Sequence, residues 1–255
     1  MWSVTTLVFV HAHPDDEALL TSGTMARAAA EGQRVVLVVA TDGAAGLTSS
    51  AYREGLADIR REEVEESARH LGVSRVVHLG YADSGLAGDA AGGFASASLD
   101  EVSHRIGDIL SEESADVVVG YDPSGGYGHP DHVRVHKSVR AAARGRSDVR
   151  LFEATLPREP IATAVRMAAA TRLTPEEFDP AEFARAWTPR RQITHRVDVS
   201  RHLPAKRASL AAHASQAAAD GTTRTLAVLG RLPDFAFRRL LGTEYYVAVP
   251  PTPSR

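Results

Sequence analysis

The sequence predicts an α/β fold on a mostly parallel sheet, and three observations carry the prediction. Residues 4–10, 34–40, 75–79 and 117–120 are short, almost continuously apolar runs, as expected of strands buried on both faces. The stretches between them carry apolar residues three and four apart, the period of helices that pack by one face. Alternation of the two makes parallel strands joined by right-handed crossovers.

The elements follow in order. Residues 4–10 form the first strand, ended by His11, and residues 17–31, rich in Ala, Leu and Met, form a helix. After the strand at 34–40 comes a helix over 52–71, with Leu56, Ile59, Val64, Ala68 and Leu71 on one face. The strand at 75–79 precedes a helix over 99–110, striped by Leu99, Val102, Ile106, Ile109 and Leu110. The strand at 117–120 leads to a helix from Pro130 to about Ala143, because proline at a first-turn position costs no hydrogen bond. His132 then sits in that first turn. Residues 157–189 mix Pro, Arg, Ala and acidic residues in short pieces, a variable excursion beside the site mouth rather than a linker. Residues 192–199 alternate like a half-exposed strand, 204–219 read as a helix and 244–249 as a last strand. The expectation is one domain over 1–255: a core to 155, the excursion over 156–190, and a C-terminal strand-helix-strand extension from 191. There is no internal repeat.

Composition narrows the function. The 255 residues are 44% hydrophobic with a formal charge of −3, enough to bury a large core and too nearly neutral to attract nucleic acid or an anionic membrane in general. The expected partner is a small polar molecule. No cysteine is present, so disulfides, thiolate metal sites and cysteine nucleophiles are excluded and any metal must rest on His, Asp or Glu. The first apolar run lacks a basic leader and is too short for a signal or a membrane span, which predicts a cytoplasmic protein without membrane insertion.

Two clusters carry chemistry. The first strand ends in His11-Ala12-His13-Pro14-Asp15-Asp16-Glu17, and the loop after the fourth reads Gly128-His129-Pro130-Asp131-His132. Imidazoles and carboxylates suit zinc or a similar divalent ion, and three ligands leave a position open for water. Both clusters follow strand carboxyl ends, where open parallel sheets bind ligands. A Gly-x-Gly-x-x-Gly turn is missing after the first strand, which demotes a nucleotide-dependent oxidoreductase.

These two motifs, with Arg60-Arg61-Glu62-Glu63, Tyr81-Ala82-Asp83-Ser84-Gly85 and Ala212-His213-Ala214-Ser215-Gln216, resemble the LmbE-like, or PIG-L, zinc-dependent deacetylases. The resemblance covers roughly the first 135 residues and 192–220. It implies a Rossmann-like three-layer fold and one catalytic zinc, with other divalent transition metals able to take the same ligands. It also implies hydrolysis of an N-acetyl or related amide on an amino sugar, and relatives that often form homo-oligomers. Carried over by position, it makes His13, Asp16 and His132 the metal ligands and Asp15 the general base. His129, protonated, would stabilise the oxyanion or assist the leaving amine, and Asp131 would orient either His129 or a ligand imidazole. Tyr127, on a loop with Gly125, Gly126 and Gly128, would reach the tetrahedral intermediate, while Arg60 and Asp83 would meet sugar hydroxyls. Blander readings stand beside these: Asp15 as a helix cap, Arg60 and Glu63 as an exposed pair, His213 and Gln216 on a packed helix, His11 as a packed strand-end imidazole. The remaining histidines show no ligand spacing. An amidase for a larger thiol or glycoside conjugate, with 157–190 selecting the acyl group, and a non-catalytic sugar- or metal-binding module are the competing functions.

Overall fold

The computed structural model describes residues 4–46, 54–170, 186–217 and 225–250. Its strands are β1 (Thr6–His11), β2 (Arg34–Thr41), β3 (Arg75–Tyr81), β4 (Val117–Tyr121), β5 (Arg150–Thr155), β6 (His195–Asp198) and β7 (Thr243–Val249). They form one sheet in the order β3-β2-β1-β4-β5-β7-β6. The first five are parallel, and β7 runs antiparallel to both β5 and β6.

The helices are α1 (Asp16–Leu20), α2 (Ser22–Ala30), α3 (Leu56–Leu71), α4 (Leu99–Glu112), α5 (Pro130–Ala143), α6 (Arg158–Ala170), α7 (Leu203–Ala212), α8 (Ala214–Ala217), α9 (Thr225–Gly230) and α10 (Asp234–Leu241). Strand alternation sorts the core into two layers. Val8, Val10, Val36 and Val38 face Val102 and Ile106 of α4 and Val135 and Val139 of α5. Phe9, Val35, Leu37 and Val39 face Met25 of α2 and Val64, Ala68 and Leu71 of α3. Because both faces are covered, β1 and β2 are apolar from Leu7 to Val10 and from Val35 to Ala40, and each large buried apolar side chain contributes about 1.5–3 kcal/mol. This is the expected three-layer α/β architecture.

Several boundaries differ from the sequence reading. The helix expected over 17–31 is two helices that meet at Thr21, whose hydroxyl bonds His11 Nε2 at 2.8 Å. The helix expected from Tyr52 begins at Leu56, and Tyr52 lies outside the described residues. The helix expected over 204–219 ends at Ala212, with the short α8 after His213 and the last two residues outside the description. The excursion contains a 13-residue helix, α6, rather than short pieces. β5 was not anticipated, because Arg-Leu-Phe-Glu-Ala-Thr carries an acid in its middle; Glu153 is buried there against Arg140 at 2.9 Å. α9 and α10 were also missed. No helix among the described residues is long and apolar enough to cross a membrane.

The consequence for function lies at the centre of the sheet. β1 and β4 are neighbours, yet the chain leaves them toward opposite edges, so a crevice opens beyond their carboxyl ends. His13 follows β1 there, and the loop to α5 follows β4.

Candidate metal centre and active site

Three donor atoms converge in that crevice. His13 Nδ1, Asp16 Oδ2 and His132 Nε2 lie 3.3 Å from one another on all three sides. A tetrahedral ion with bonds of about 2.0–2.1 Å sets its ligands about 3.3–3.4 Å apart. The local chain builds this triangle by placing His13 in the turn after β1, Asp16 at the start of α1, and His132 in the first turn of α5.

Hydrogen bonding fixes which atoms can donate lone pairs. His132 Nδ1 donates to the Gly125 carbonyl at 3.2 Å, which leaves Nε2 bare. His13 Nε2 donates to Asp131 Oδ2 at 3.1 Å and leaves Nδ1 bare. Two bare nitrogens and a carboxylate oxygen at 3.3 Å repel one another unless positive charge lies among them. Against burial, the three carboxylates Asp131, Asp16 and Asp83 prevail and raise the His13 imidazole well above its usual range, so their field favours positive charge at this point, a proton on Nδ1 or a metal ion in its place. The cluster is thus able to hold a metal ion, and His129 and Asp83 also stand within reach of it.

A surrounding layer orients these donors. Tyr121 donates its hydroxyl to Asp16 Oδ2 at 2.7 Å and accepts from the Ala12 amide and from His11 Nδ1. Asp131 also accepts the Ser84 amide at 3.0 Å, while its Oδ1 is buried without a partner among the described residues. Of the two kinds of imidazole expected as its partner, the Asp131 carboxylate meets His13, a candidate metal ligand. Asp83 lies 3.4 Å from His13 Nε2; burial raises its carboxyl, but His13 prevails and brings it down to about 2.

Asp15 stands beside the donor triangle in a left-handed conformation, φ 116, and makes no side-chain cap bond. Burial raises its carboxyl to about 6, with Asp16 adding to the rise and Arg60 opposing it. Arg60, expected among sugar hydroxyls, is itself buried. Its guanidinium donates to the Pro14 and Gly43 carbonyls and lies 3.4 Å from Asp15 Oδ1. Gly43 must be glycine here, since a Cβ would fall 2.5 Å from the guanidinium at a φ of +65.

His129 caps α5, its Nδ1 accepting the Asp131 amide at 3.2 Å. Nε2 therefore carries the proton of the neutral ring. Burial, with His13 and His132 alongside, lowers this imidazole to about 4, a direction opposite to that of the protonated His129 the resemblance implies. Tyr127 stands on the cleft wall with its ring edge-on to His132 at 5.2 Å, and desolvation within the cleft plus nearby Asp16, Asp15 and Asp83 raise its phenol above the ordinary range.

Tyr121 and Trp187 escaped the sequence reading, and Glu17, His213 and Gln216 appeared there only as motif or packed-helix residues. Glu17 and His213 form a buried pair at 2.6 Å behind Asp15, Tyr121 is described above, and Trp187 returns from the excursion to donate its amide to the Gly126 carbonyl. Gln216 lines the cleft as well. For Tyr121 a signal existed, since it ends the strand that leads to the second motif. Trp187 and His213 are distant in sequence from both motifs, and the role of Glu17 depends on that distant partner.

Comparisons with known proteins identify the family and the fold. The model of the family described as PIG-L, GlcNAc-PI de-N-acetylase, matches residues 8–143. The chain is 36% identical to the 1D-myo-inositol 2-acetamido-2-deoxy-alpha-D-glucopyranoside deacetylase of Acidothermus cellulolyticus, over 96% of this chain and 88% of that one. Among solved structures it is similar to the N,N'-diacetylchitobiose deacetylase of Pyrococcus horikoshii, with TM-score 0.62, 22% identity and coverage of 97% and 85%. It is also similar to GalB, the 4-carboxy-2-hydroxymuconate hydratase of Pseudomonas putida, with TM-score 0.59, 19% identity and coverage of 99% of each chain. One fold thus serves two chemistries, so the site has to decide the function.

Proposed function

The chain belongs to the GlcNAc-PI de-N-acetylase (PIG-L) family, and we propose that it is a metal-dependent hydrolase that removes an N-acetyl, or related N-acyl, group from an amino sugar. The observation that carries this reading is the triangle of bare donor atoms, His13 Nδ1, Asp16 Oδ2 and His132 Nε2, with Asp15 next to it in sequence. Those three residues would hold zinc, and the same donor set accepts iron, cobalt or nickel. When bound, such an ion makes a water acidic enough to ionise near pH 7 and polarises a carbonyl.

The protein's own groups supply the rest. Asp15 accepts the proton of the attacking water and passes it toward the departing nitrogen. Neutral His129 presents Nε2–H as a donor to the developing oxyanion, in a tautomer fixed by the Asp131 amide. Tyr127, protonated and on the cleft wall, is a second donor. Asp131 and Tyr121 hold His13 and Asp16 in place, as outer carboxylates and hydroxyls do in metal sites. Arg60 and Asp83 border a polar cleft of about 300 Å³ suited to a polyol. The products are a carboxylate and a free amine, and no covalent enzyme intermediate is needed.

The test is release of amine from 1D-myo-inositol 2-acetamido-2-deoxy-alpha-D-glucopyranoside and from N-acetylglucosamine by protein of measured metal content. Release should follow metal content and vanish on chelation. Metal-loaded protein that binds either sugar and frees no amine would instead be a binding module.

A further inference from the structure

A second cavity opens against the same residues. It has a volume of about 580 Å³, shares Asp15, Asp16, Tyr127 and Gln216 with the polar cleft, and is otherwise walled by apolar side chains, among them Leu156, Trp187, Leu226 and Leu229. His132 faces this cavity, whereas His13, Arg60 and Asp83 face the polar one. The donor triangle therefore stands on the ridge between a polar and an apolar space.

The apolar walls are built into the fold. Leu226 belongs to a core cluster with Ala18, Leu210 and Phe237, and Leu19 and Leu241 pack against it. Trp187 is seated against Gly126, where a Cβ would fall 2.7 Å from the indole. A methyl group, like a water molecule, takes roughly 30 Å³. An acetyl group would leave most of this cavity unfilled.

Resting on the hydrolase reading, we infer that the preferred substrate is an N-acyl amino sugar whose acyl group is a medium-length alkyl chain, lodged between Trp187, Leu156 and the α9 leucines. The two substituents of an amide carbonyl diverge from its carbon. With the sugar nitrogen directed to the polar cleft by its hydroxyls, the acyl chain points into the apolar one. The occupant is part of the substrate because the cavity's wall includes the candidate catalytic groups Asp15 and Tyr127.

The experiment compares N-acetyl-, N-butanoyl-, N-hexanoyl- and N-octanoylglucosamine by amine release, with octyl β-glycoside of N-acetylglucosamine as a second arm. Burying each methylene contributes about 0.8 kcal/mol, so kcat/KM should rise about fourfold per methylene as far as hexanoyl. Leu229→Trp, which adds bulk to the apolar wall, should flatten that series, so that the octanoyl compound loses its advantage over the acetyl one. In a fluorescence titration of Trp187, N-octanoylglucosamine should bind more tightly than the acetyl compound. Fastest turnover of the acetyl compound, with loss at each added methylene, overturns the inference and leaves the hydrolase reading standing. A gain confined to the octyl glycoside also overturns it and assigns the cavity to an aglycone. Failure to release amine from any compound removes the hydrolase reading itself, and the inference with it.

Discussion

Glu17 Oε2 accepts the backbone amide of Asp15 at 3.0 Å, and so holds the candidate general base in its left-handed conformation. Its other oxygen, Oε1, receives His213 Nε2 and Ser67 Oγ, each at 2.6 Å. A carboxylate from α1 is thus fastened to α3 and to the end of α7, and its free edge positions Asp15. Asp15 pays the strain of a positive φ only because these partners over-determine it.

Glu17→Gln keeps the shape of the side chain and removes the charge. A hydrogen bond to a charged group is worth about 1.5–3 kcal/mol, so kcat should fall by roughly 10- to 100-fold. Metal content should stay unchanged, because Glu17 touches none of the three donors. Unaltered kcat would reduce Glu17 to a packing role.

The donor triangle and its neighbour should separate by what they lose. His13→Ala, Asp16→Asn or His132→Ala should abolish metal retention through dialysis and turnover together. Asp15→Asn should retain the metal and lose about 10²–10⁴-fold in kcat, the usual contribution of a general base. Quantifying metal by elemental analysis beside amine release checks both, and full turnover in Asp15→Asn would refute the role of Asp15.

A pH-dependent contribution to stability lies far from the site. Glu113, after α4, is buried and accepts from Arg34 Nε at 2.7 Å and Arg75 Nη1 at 2.6 Å. The hydrogen bond from Arg34, then that from Arg75, lower its carboxyl below the ordinary 4.5 despite burial. A depressed carboxyl stabilises above its unfolded value and loses that contribution as pH falls through its folded value. Glu113→Gln should therefore melt below the parent at pH 7, and the gap in melting temperature should narrow as pH drops below about 4.5. A gap independent of pH would show that the pairs with Arg34 and Arg75 contribute through shape alone.

What could be read in advance follows from how local each cause is. The central strands were legible because burial on both faces leaves nothing but Val, Leu and Phe in Val8, Phe9, Val36 and Leu37. The His13 and His132 placements were legible because each lies within a few residues of a strand end or a helix-starting proline. The Glu17–His213 pair was not, since its partners are 196 residues apart. The downward shift of His129 was not legible either. It depends on burial and on the closeness of two other imidazoles, which no spacing in the sequence records.

Arg60 separates a structural tie from a substrate contact. Its guanidinium joins the Pro14 and Gly43 carbonyls beneath the cleft, stands by Asp15, and leaves Nε buried without a partner among the described residues. If the tie is its main duty, Arg60→Lys should lower both melting temperature and kcat, because one ammonium cannot span two carbonyls in a planar fork. If it serves sugar hydroxyls first, KM alone should rise. Gly43→Ala settles the matter independently. The added Cβ displaces the guanidinium and strains a backbone at φ +65 without offering anything to a substrate. A tie predicts that Gly43→Ala reproduces the fall in kcat seen with Arg60→Lys. A direct sugar contact predicts that the two variants differ, the lysine raising KM and the alanine mainly lowering stability.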